Sequence, residues 1–396
     1  MRLSNLPSVA GQTILQVIPE LSAGGAERTV IEMAEAITEA GGRAIVASEG
    51  GRLLSNLKAV GGDHIRLDLA SKNPLIIYRN AAKLADLVAE QNIALIHARS
   101  RAPAWSAWRA AQATGTPFVT TYHGAYSGSS GPKKVYNSVM AKGDFVIANS
   151  RWISKHIKDV HGLSEDRIVI IPRGVDFERF DPQRISETRK QALRQAWALS
   201  AKAPLLILLL PGRLTEWKGQ LLAVEALSRL SPAERENMVL VMAGDPQGRT
   251  AYLDKLRQLI ADRGVQSAVR IAGHCEDMPA AIAISDVVLS ASERPEAFGR
   301  VAAEAAAMAR PVIASDHGGA CETVIDGQTG VRFTPGDAEA LIAAIRSLIS
   351  IGHQARAGMG IAGQKHARLH YSKRGLQTAT LSVYSSLIAQ NITQHA

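Results

Sequence analysis

Two glutamates with seven residues between them, Glu296 and Glu304, fall in the run Ser292-Glu293-Arg294-Pro295-Glu296-Ala297-Phe298-Gly299-Arg300-Val301-Ala302-Ala303-Glu304. The run follows the apolar strand candidate Asp286–Ser290 and opens an alanine-rich helical pattern. A carboxylate only accepts hydrogen bonds, so Glu304 in the first turns of that helix could grip a pair of hydroxyls such as those of a ribose. Glu296, in the preceding loop, could accept from sugar hydroxyls. The amides of Phe298 and Gly299, at a helix start, are donors suited to a phosphate. A carboxylate at the position of Glu304 could also merely complement the helix dipole. That reading leaves Glu296, ahead of the glycine, without an explanation.

Upstream, Leu210-Pro211-Gly212-Arg213 is followed five residues later by Lys218-Gly219. Open α/β sheets bind ligands at the carboxyl ends of their strands. Arg213 and Lys218 would place two cations there, a pattern suited to a diphosphate. Each alone reads rather as a solvated surface charge, and only together, after a buried strand, do they weigh as evenly towards a site. Weaker signals lie elsewhere. Gly24-Gly25 forms a strand-to-helix turn through which backbone amides could approach an anion. It is not G-x-G-x-x-G, so a dinucleotide fold of the usual type is not supported. His123 closes Thr120-Thr121-Tyr122-His123-Gly124, Asn149-Ser150 follows another strand candidate, and Asp316-His317-Gly318-Gly319 precedes Glu322. A lone histidine is usually structural, so His123 and His317 count only in company.

The elements that must position these residues alternate along the chain. Strand candidates in the first half are Thr13–Pro19, Arg43–Ser48, Ala94–Ala98, Pro117–Tyr122, Phe145–Asn149 and Arg167–Ile171. In the second half they are Leu205–Leu210, Met238–Ala243, Val269–Ala272, Asp286–Ser290 and Pro311–Ala314. Amphipathic helical patterns such as Ala26–Ala40, Leu75–Gln91, Gln220–Leu230 and Ala338–Ile349 intervene. Continuous apolar strands separated by helices imply right-handed crossovers and parallel sheets covered on both faces. Two such series predict two doubly wound domains, 1–190 and 191–375, joined through the polar stretch Asp181–Ala203. The helical segment 376–396 has no strand to follow it.

Composition supports a folded protein of two domains. The chain has 396 residues, 46% hydrophobic and 20% charged, which exceeds one ordinary core and excludes a disordered chain. Two cysteines, Cys275 and Cys321, exclude a disulfide framework and fit a reducing compartment such as the cytoplasm. Met1 to Gln12 lacks a charged start followed by an apolar core, so no signal peptide is expected. The longest apolar run, Ala203 to Gly212, is too short to cross a bilayer as a helix and suits a buried strand. A net charge of +9 points to an anionic partner. No zinc spacing or basic–aromatic interleaving occurs, so nucleic acid is not expected. No Asp-x-Asp occurs either, and clustered carboxylates of that kind are what a hard cation bridging a diphosphate needs; no metal is expected.

Taken in order, these residues resemble the family 4 retaining glycosyltransferases of GT-B fold over nearly the whole chain. The resemblance rests on Gly24-Gly25-Ala26-Glu27, Tyr122-His123-Gly124, Asn149-Ser150, Pro172-Arg173-Gly174-Val175-Asp176 and Gly212-Arg213 with Lys218-Gly219. It also rests on Glu296 with Glu304, on Asp316-His317-Gly318-Gly319, and on Gly327–Gly330. It implies two Rossmann-like domains facing across a cleft, with the terminal helix 376–396 packing back on the first. It further implies that Arg213 and Lys218 bind the diphosphate of a nucleotide-sugar donor, the substrate that stands in place of any cofactor. Glu296 would contact the donor sugar with the Phe298 and Gly299 amides assisting, and Glu304 would hold the ribose. Gly24 and Gly25 would pack against the phosphates, and His123 would lie beside the transferred sugar. Two departures stand out: Gly244-Asp245-Pro246 where a glycine pair is commoner, and Arg300 where an apolar residue is commoner.

Within the family, Tyr122–Tyr126 and Lys133-Lys134-Val135-Tyr136-Asn137 look like bacterial members that build lipopolysaccharide or envelope polysaccharide. A glycan or lipid-linked acceptor is the expectation. The basic and aromatic residues would suit peripheral contact with an anionic inner membrane from the cytoplasmic side, or equally a solvated acceptor-facing loop. The expected chemistry is a retaining transfer: the diphosphate leaves, stabilised by cations, and the acceptor hydroxyl attacks from the same face. An epimerase or hydrolase acting on a nucleotide sugar, and a non-catalytic binding protein, are the alternatives.

Overall fold

Strands buried on both faces carry no polar side, and the molecule uses their alternate side chains to build two cores at once. The structure is a computed structural model that describes residues 6–22, 24–126, 131–199 and 206–395. The expected strand residue Leu205, the end of the polar stretch at Ala203, and Ala396 lie outside the described residues. The described residues divide into two compact units, one formed by Met1–Gly174 with Lys373–Ala396 and the other by Val175–Ser372.

The first unit holds a seven-stranded sheet: β1 Thr13–Val17, β2 Arg43–Ser48, β3 Asp63–Arg66, β4 Ile93–Ala98, β5 Phe118–Tyr122, β6 Phe145–Ala148 and β7 Ile168–Ile170. Its order is β3-β2-β1-β4-β5-β6-β7, and every pair is parallel. The second unit holds β8 Leu206–Pro211, β9 Met238–Ala243, β10 Val269–Gly273, β11 Val287–Ser290, β12 Val312–Ser315 and β13 Gly330–Phe333. These pair, again in parallel, in the order β10-β9-β8-β11-β12-β13. In each sheet the winding reverses once, at β1/β4 and at β8/β11. Loops leaving the carboxyl ends on either side of such a reversal diverge and leave a crevice.

In the second sheet, Ile207, Leu209, Val239, Val241 and Val288 pack into one core, while Leu208, Leu210, Leu240, Met242 and Leu289 pack into the other. The alternation explains why these strands read as unbroken apolar runs. The strands β3 and β13 are edges, each half-exposed in part and carrying charged residues, so no such run marks them.

The division between the units corrects the boundary expected at 190/191: it falls at Gly174/Val175. The polar stretch beyond Asp181 is not a free linker. It forms the helix Glu187–Ala196, and Phe180, Ile185, Trp197 and Leu199 bury themselves in the core of the second unit. The second crossing falls at Ser372/Lys373. The helix Lys373–His395 then sends Leu376, Leu381, Tyr384, Leu387 and Ile388 into the core of the first unit beside Val30, Met33 and Ile37.

Candidate active site

Three loops at the carboxyl edge of the second sheet, after β8, β11 and β12, bring the sequence signals together. After β8 the chain turns through Gly212, and Lys218 ends a short 3-10 turn before the helix Gln220–Arg229. Gly219 caps that helix at φ +78°, and a Cβ there would lie 2.0 Å from the carbonyl oxygen of Ala291. Only glycine lets the loop after β8 approach the loop after β11 this closely. The amide of Glu293 donates to the carbonyl of Trp217 at 2.8 Å and ties the two loops together.

Across this junction the Lys218 ammonium donates to Glu296 Oε1 at 2.7 Å, with both side chains largely buried. Ser292 Oγ donates to the same carboxylate oxygen. Burial pushes the Glu296 carboxyl up, but the Lys218 charge and the hydrogen bonds from Lys218 and Ser292 outweigh it and hold the group below the ordinary carboxylate value. One oxygen of Glu296 is thus fixed by two donors, while Oε2 accepts from no group among the described residues. The Lys218 ammonium also sits 4.4 Å from the centroid of the Trp217 ring, within cation–π range.

The loop after β12 templates this segment from below. Gly319 N donates to Glu296 O at 2.8 Å. Gly318 has φ +64°, and a Cβ there would lie 2.5 Å from that same carbonyl oxygen. His317 Nε2 lies 2.8 Å from the carbonyl of Ser292. A carbonyl only accepts, so Nε2 carries the proton. Phe298 is buried and packs edge-on against Tyr371 at 5.2 Å, while the Tyr371 hydroxyl donates to Glu322 O at 2.6 Å. Gly299 precedes the helix Arg300–Ala307, and the amides of Phe298 and Gly299 donate to no group among the described residues.

The structure therefore brings Lys218, Glu296, Phe298 and Gly299 to one edge. Glu304, on the second turn of the following helix, is mostly buried and receives Arg300 NH2 at 3.2 Å. That i,i+4 pair gives the unusual Arg300 a partner that the motif did not foretell. Arg213 is exposed just past β8, its backbone carbonyl accepting from Gln220 at 3.0 Å. The supporting roles of Ser292, His317 and Trp217 were missed. A serine four residues before a loop glutamate was the available signal for Ser292; the Trp217 ring and the His317–Ser292 contact depend on tertiary packing.

The remaining expected residues sit at the carboxyl edge of the first sheet. Gly24 is the N-cap of the helix Gly25–Glu39 that follows β1, and the Gly25 carbonyl accepts from Thr29 Oγ1 at 2.9 Å. His123 follows β5, and its Nδ1 lies 2.8 Å from Arg173 NH2. Burial, followed by the charges of Arg173 and Arg99, pushes the imidazole well below its ordinary value, so it is neutral. Beneath it, Arg99 donates to Gln16 Oε1 at 2.7 Å and to the Tyr384 hydroxyl at 3.4 Å, while His97 bridges Tyr384 at 2.6 Å and Thr121 at 2.7 Å.

Two doubly wound parallel sheets in separate units, each presenting loops at its point of reversal, define the GT-B class. A family model described as "Glycosyl transferases group 1" matches residues 191–366, and one described as "Glycosyltransferase Family 4" matches residues 23–179. The crystal structure of a glycosyltransferase from Rickettsia africae is 35% identical, with a TM-score of 0.87 over 95% of this chain and 98% of that one. The chain belongs to the family 4 glycosyltransferases. Anabaena HepE in complex with UDP is 25% identical, with a TM-score of 0.81 over 95% of this chain and all of that chain (100%). A D-inositol 3-phosphate glycosyltransferase of Xylanimonas cellulosilytica is 32% identical over 251 residues, which are 62% of this chain and 58% of that relative. The matched segments of the first four curated relatives span 50–62% of their length.

Proposed function

We propose that the protein transfers a sugar from a nucleotide-diphosphate sugar to a glycan or lipid-linked acceptor, with retention at the anomeric carbon and without a metal. The observation that carries this is the Lys218–Glu296 pair at the β8/β11 reversal, with unpartnered helix-start amides beside it. Lys218 and the exposed Arg213 stabilise the departing diphosphate, doing with side-chain charge what a cation would otherwise do. Glu296 Oε2 and the Phe298 and Gly299 amides orient the donor, Glu304 accepts from the ribose hydroxyls, and Gly24 with Gly25 packs against the phosphates. His123 lies beside the transferred sugar. The UDP in the HepE complex supports a uridine donor.

The acceptor belongs to lipopolysaccharide or another envelope polysaccharide in this reading, and the protein works at the cytoplasmic face of the inner membrane. Lys133, Lys134 and the exposed Val135 on the helix Gly131–Ser138 suit an anionic surface. Among the described residues no helix is long and apolar enough to cross a membrane.

The test is a panel of nucleotide sugars ranked by the rise in melting temperature, since a ligand that binds only the folded state stabilises it according to its affinity. The best donor is then followed to product. A panel in which no nucleoside diphosphate raises the melting temperature sinks the reading. Donor consumed without acceptor marks a hydrolase or epimerase, and binding without turnover marks a binding protein.

A further inference from the structure

His123 donates nothing through Nδ1. Its partner there, at 2.8 Å, is a guanidinium nitrogen of Arg173, and a guanidinium has donors only. The Nδ1 lone pair must face it, because a proton on Nδ1 would set two donors against each other. The ring proton therefore sits on Nε2. That atom is sealed from solvent and has no hydrogen-bond partner among the described residues. Buried donors of this kind call for a partner.

A second side chain at the same edge shares the condition. Tyr122 pairs with Ala148 in the β5/β6 register, so His123 and Asn149 leave neighbouring strands at the same level. Asn149 is 2% exposed, and both its amide nitrogen and its amide oxygen lack partners among the described residues. One imidazole N–H with one carboxamide offers donors and an acceptor without net charge. Alcohols, which donate and accept at each oxygen, complement that set better than an anion does.

We propose that Arg173 is a positioning residue that holds His123 as the neutral imidazole with its proton on Nε2, completing with Asn149 a site of the first unit that reads sugar hydroxyls. The proposal rests on the carbohydrate reading for its ligand but not for the state of the ring. The charged and titratable groups facing that ring are Arg173, Arg99 and His97, with Tyr126 contacting it through the His123 backbone. Burial comes first among the causes that keep the ring uncharged, and the charge of Arg173 comes next. A neutral ring matters here because only an uncharged imidazole keeps an acceptor at Nδ1 for Arg173 while presenting a donor at Nε2; an imidazolium would set two donors against each other.

Long-range proton–nitrogen spectra of the histidine rings test the first half in the full-length chain, with His123→Gln assigning the signal. The wild type should show a neutral ring protonated on Nε2 from pH 8 down to pH 5.5. In Arg173→Met the titration should move up towards the ordinary value without reaching it, since burial and Arg99 still act, and Arg173→Lys should restore most of the lost depression. An unmoved titration in Arg173→Met overturns the proposal. A wild-type ring protonated on Nδ1, or one titrating at the ordinary value, overturns the proposal whatever the enzyme transfers. Turnover supplies the second readout. Normalised to wild type, Arg173→Met should lose turnover progressively as pH falls from 8 to 5.5, because its ring protonates more readily than the wild-type ring. A loss of equal size at every pH means that Arg173 serves only the fold.

Discussion

The carboxyl edges of the two sheets present polar groups in opposite ways. In the second unit, opposite charges meet directly: Lys218 and Glu296 are 2.7 Å apart, and Ser292 braces the same oxygen. In the first unit, guanidiniums are received by neutral atoms: Gln16 Oε1 and the Tyr384 hydroxyl take Arg99, and His123 Nδ1 takes Arg173. The first arrangement keeps both charges alive in a half-dry setting, ready to be redistributed when an anion enters. The second spreads positive potential through a neutral network and suppresses any further protonation. In the proposed function, one edge would manage a leaving anion and the other would offer uncharged donors.

The comparison breaks most readily at Lys218. Lys218→Ala should lower turnover by about 10²-fold or more, the scale of removing one charge-stabilising donor, and an unchanged rate in a steady-state assay would take that residue out of the mechanism. Tyr384→Phe probes the neutral edge. It removes the hydroxyl shared by His97 and Arg99, both buried, and should reduce stability to urea by about 1–3 kcal/mol. If the urea midpoint stays put, the network does not bind the terminal helix to the first sheet. Arg300→Leu is milder, because it leaves Glu304 in place and removes a helical i,i+4 pair. Nucleotide affinity by calorimetry should change by no more than about two- to threefold, consistent with ~0.3–0.5 kcal/mol for such pairs.

The smallest expected effect is none at all. The Glu296 carboxyl is held below its ordinary value, so its ionised pairing is fully present above the unfolded value of ~4.3 and is lost only as pH falls through the lower, folded one. Binding of a nucleotide sugar, whose diphosphate diester does not titrate in this range, should therefore be flat from pH 8 to pH 5. A midpoint near pH 6 in that range would mean that Glu296 is not paired as described.

Apolar periodicity made most of this architecture legible before any coordinates. Strands β2 and β9 have the bounds expected, and the others buried on both faces differ by a residue or two at their ends. What escaped was what lacks an apolar signature. Asp63–Arg66 and Gly330–Phe333 are edges with polar side chains, and the helix Glu187–Ala196 has no fully buried residue. The unit boundary was misplaced for the same reason: a stretch rich in charge still anchors itself through Phe180, Ile185 and Trp197. At the site, residues within one loop could be grouped from their order alone. Contacts that span the chain could not, such as Lys218 with Glu296 or Arg173 with His123, whose sequence separations are 78 and 50. Ser292 and Arg300 sat in plain view, but what each touches depends on side-chain direction, which spacing alone does not fix.

The discontinuity of the first unit has a consequence for how the protein is born. Its core needs Leu381, Tyr384 and Leu387 from the last helix, whereas the second unit runs without interruption from Val175 to Ser372. During synthesis the later-made half can finish folding while the earlier-made half still waits for its closing helix to leave the ribosome. The amino-terminal sheet is then the last part to mature, and until it does, the groove against which Tyr384 packs is a natural point of engagement for chaperones.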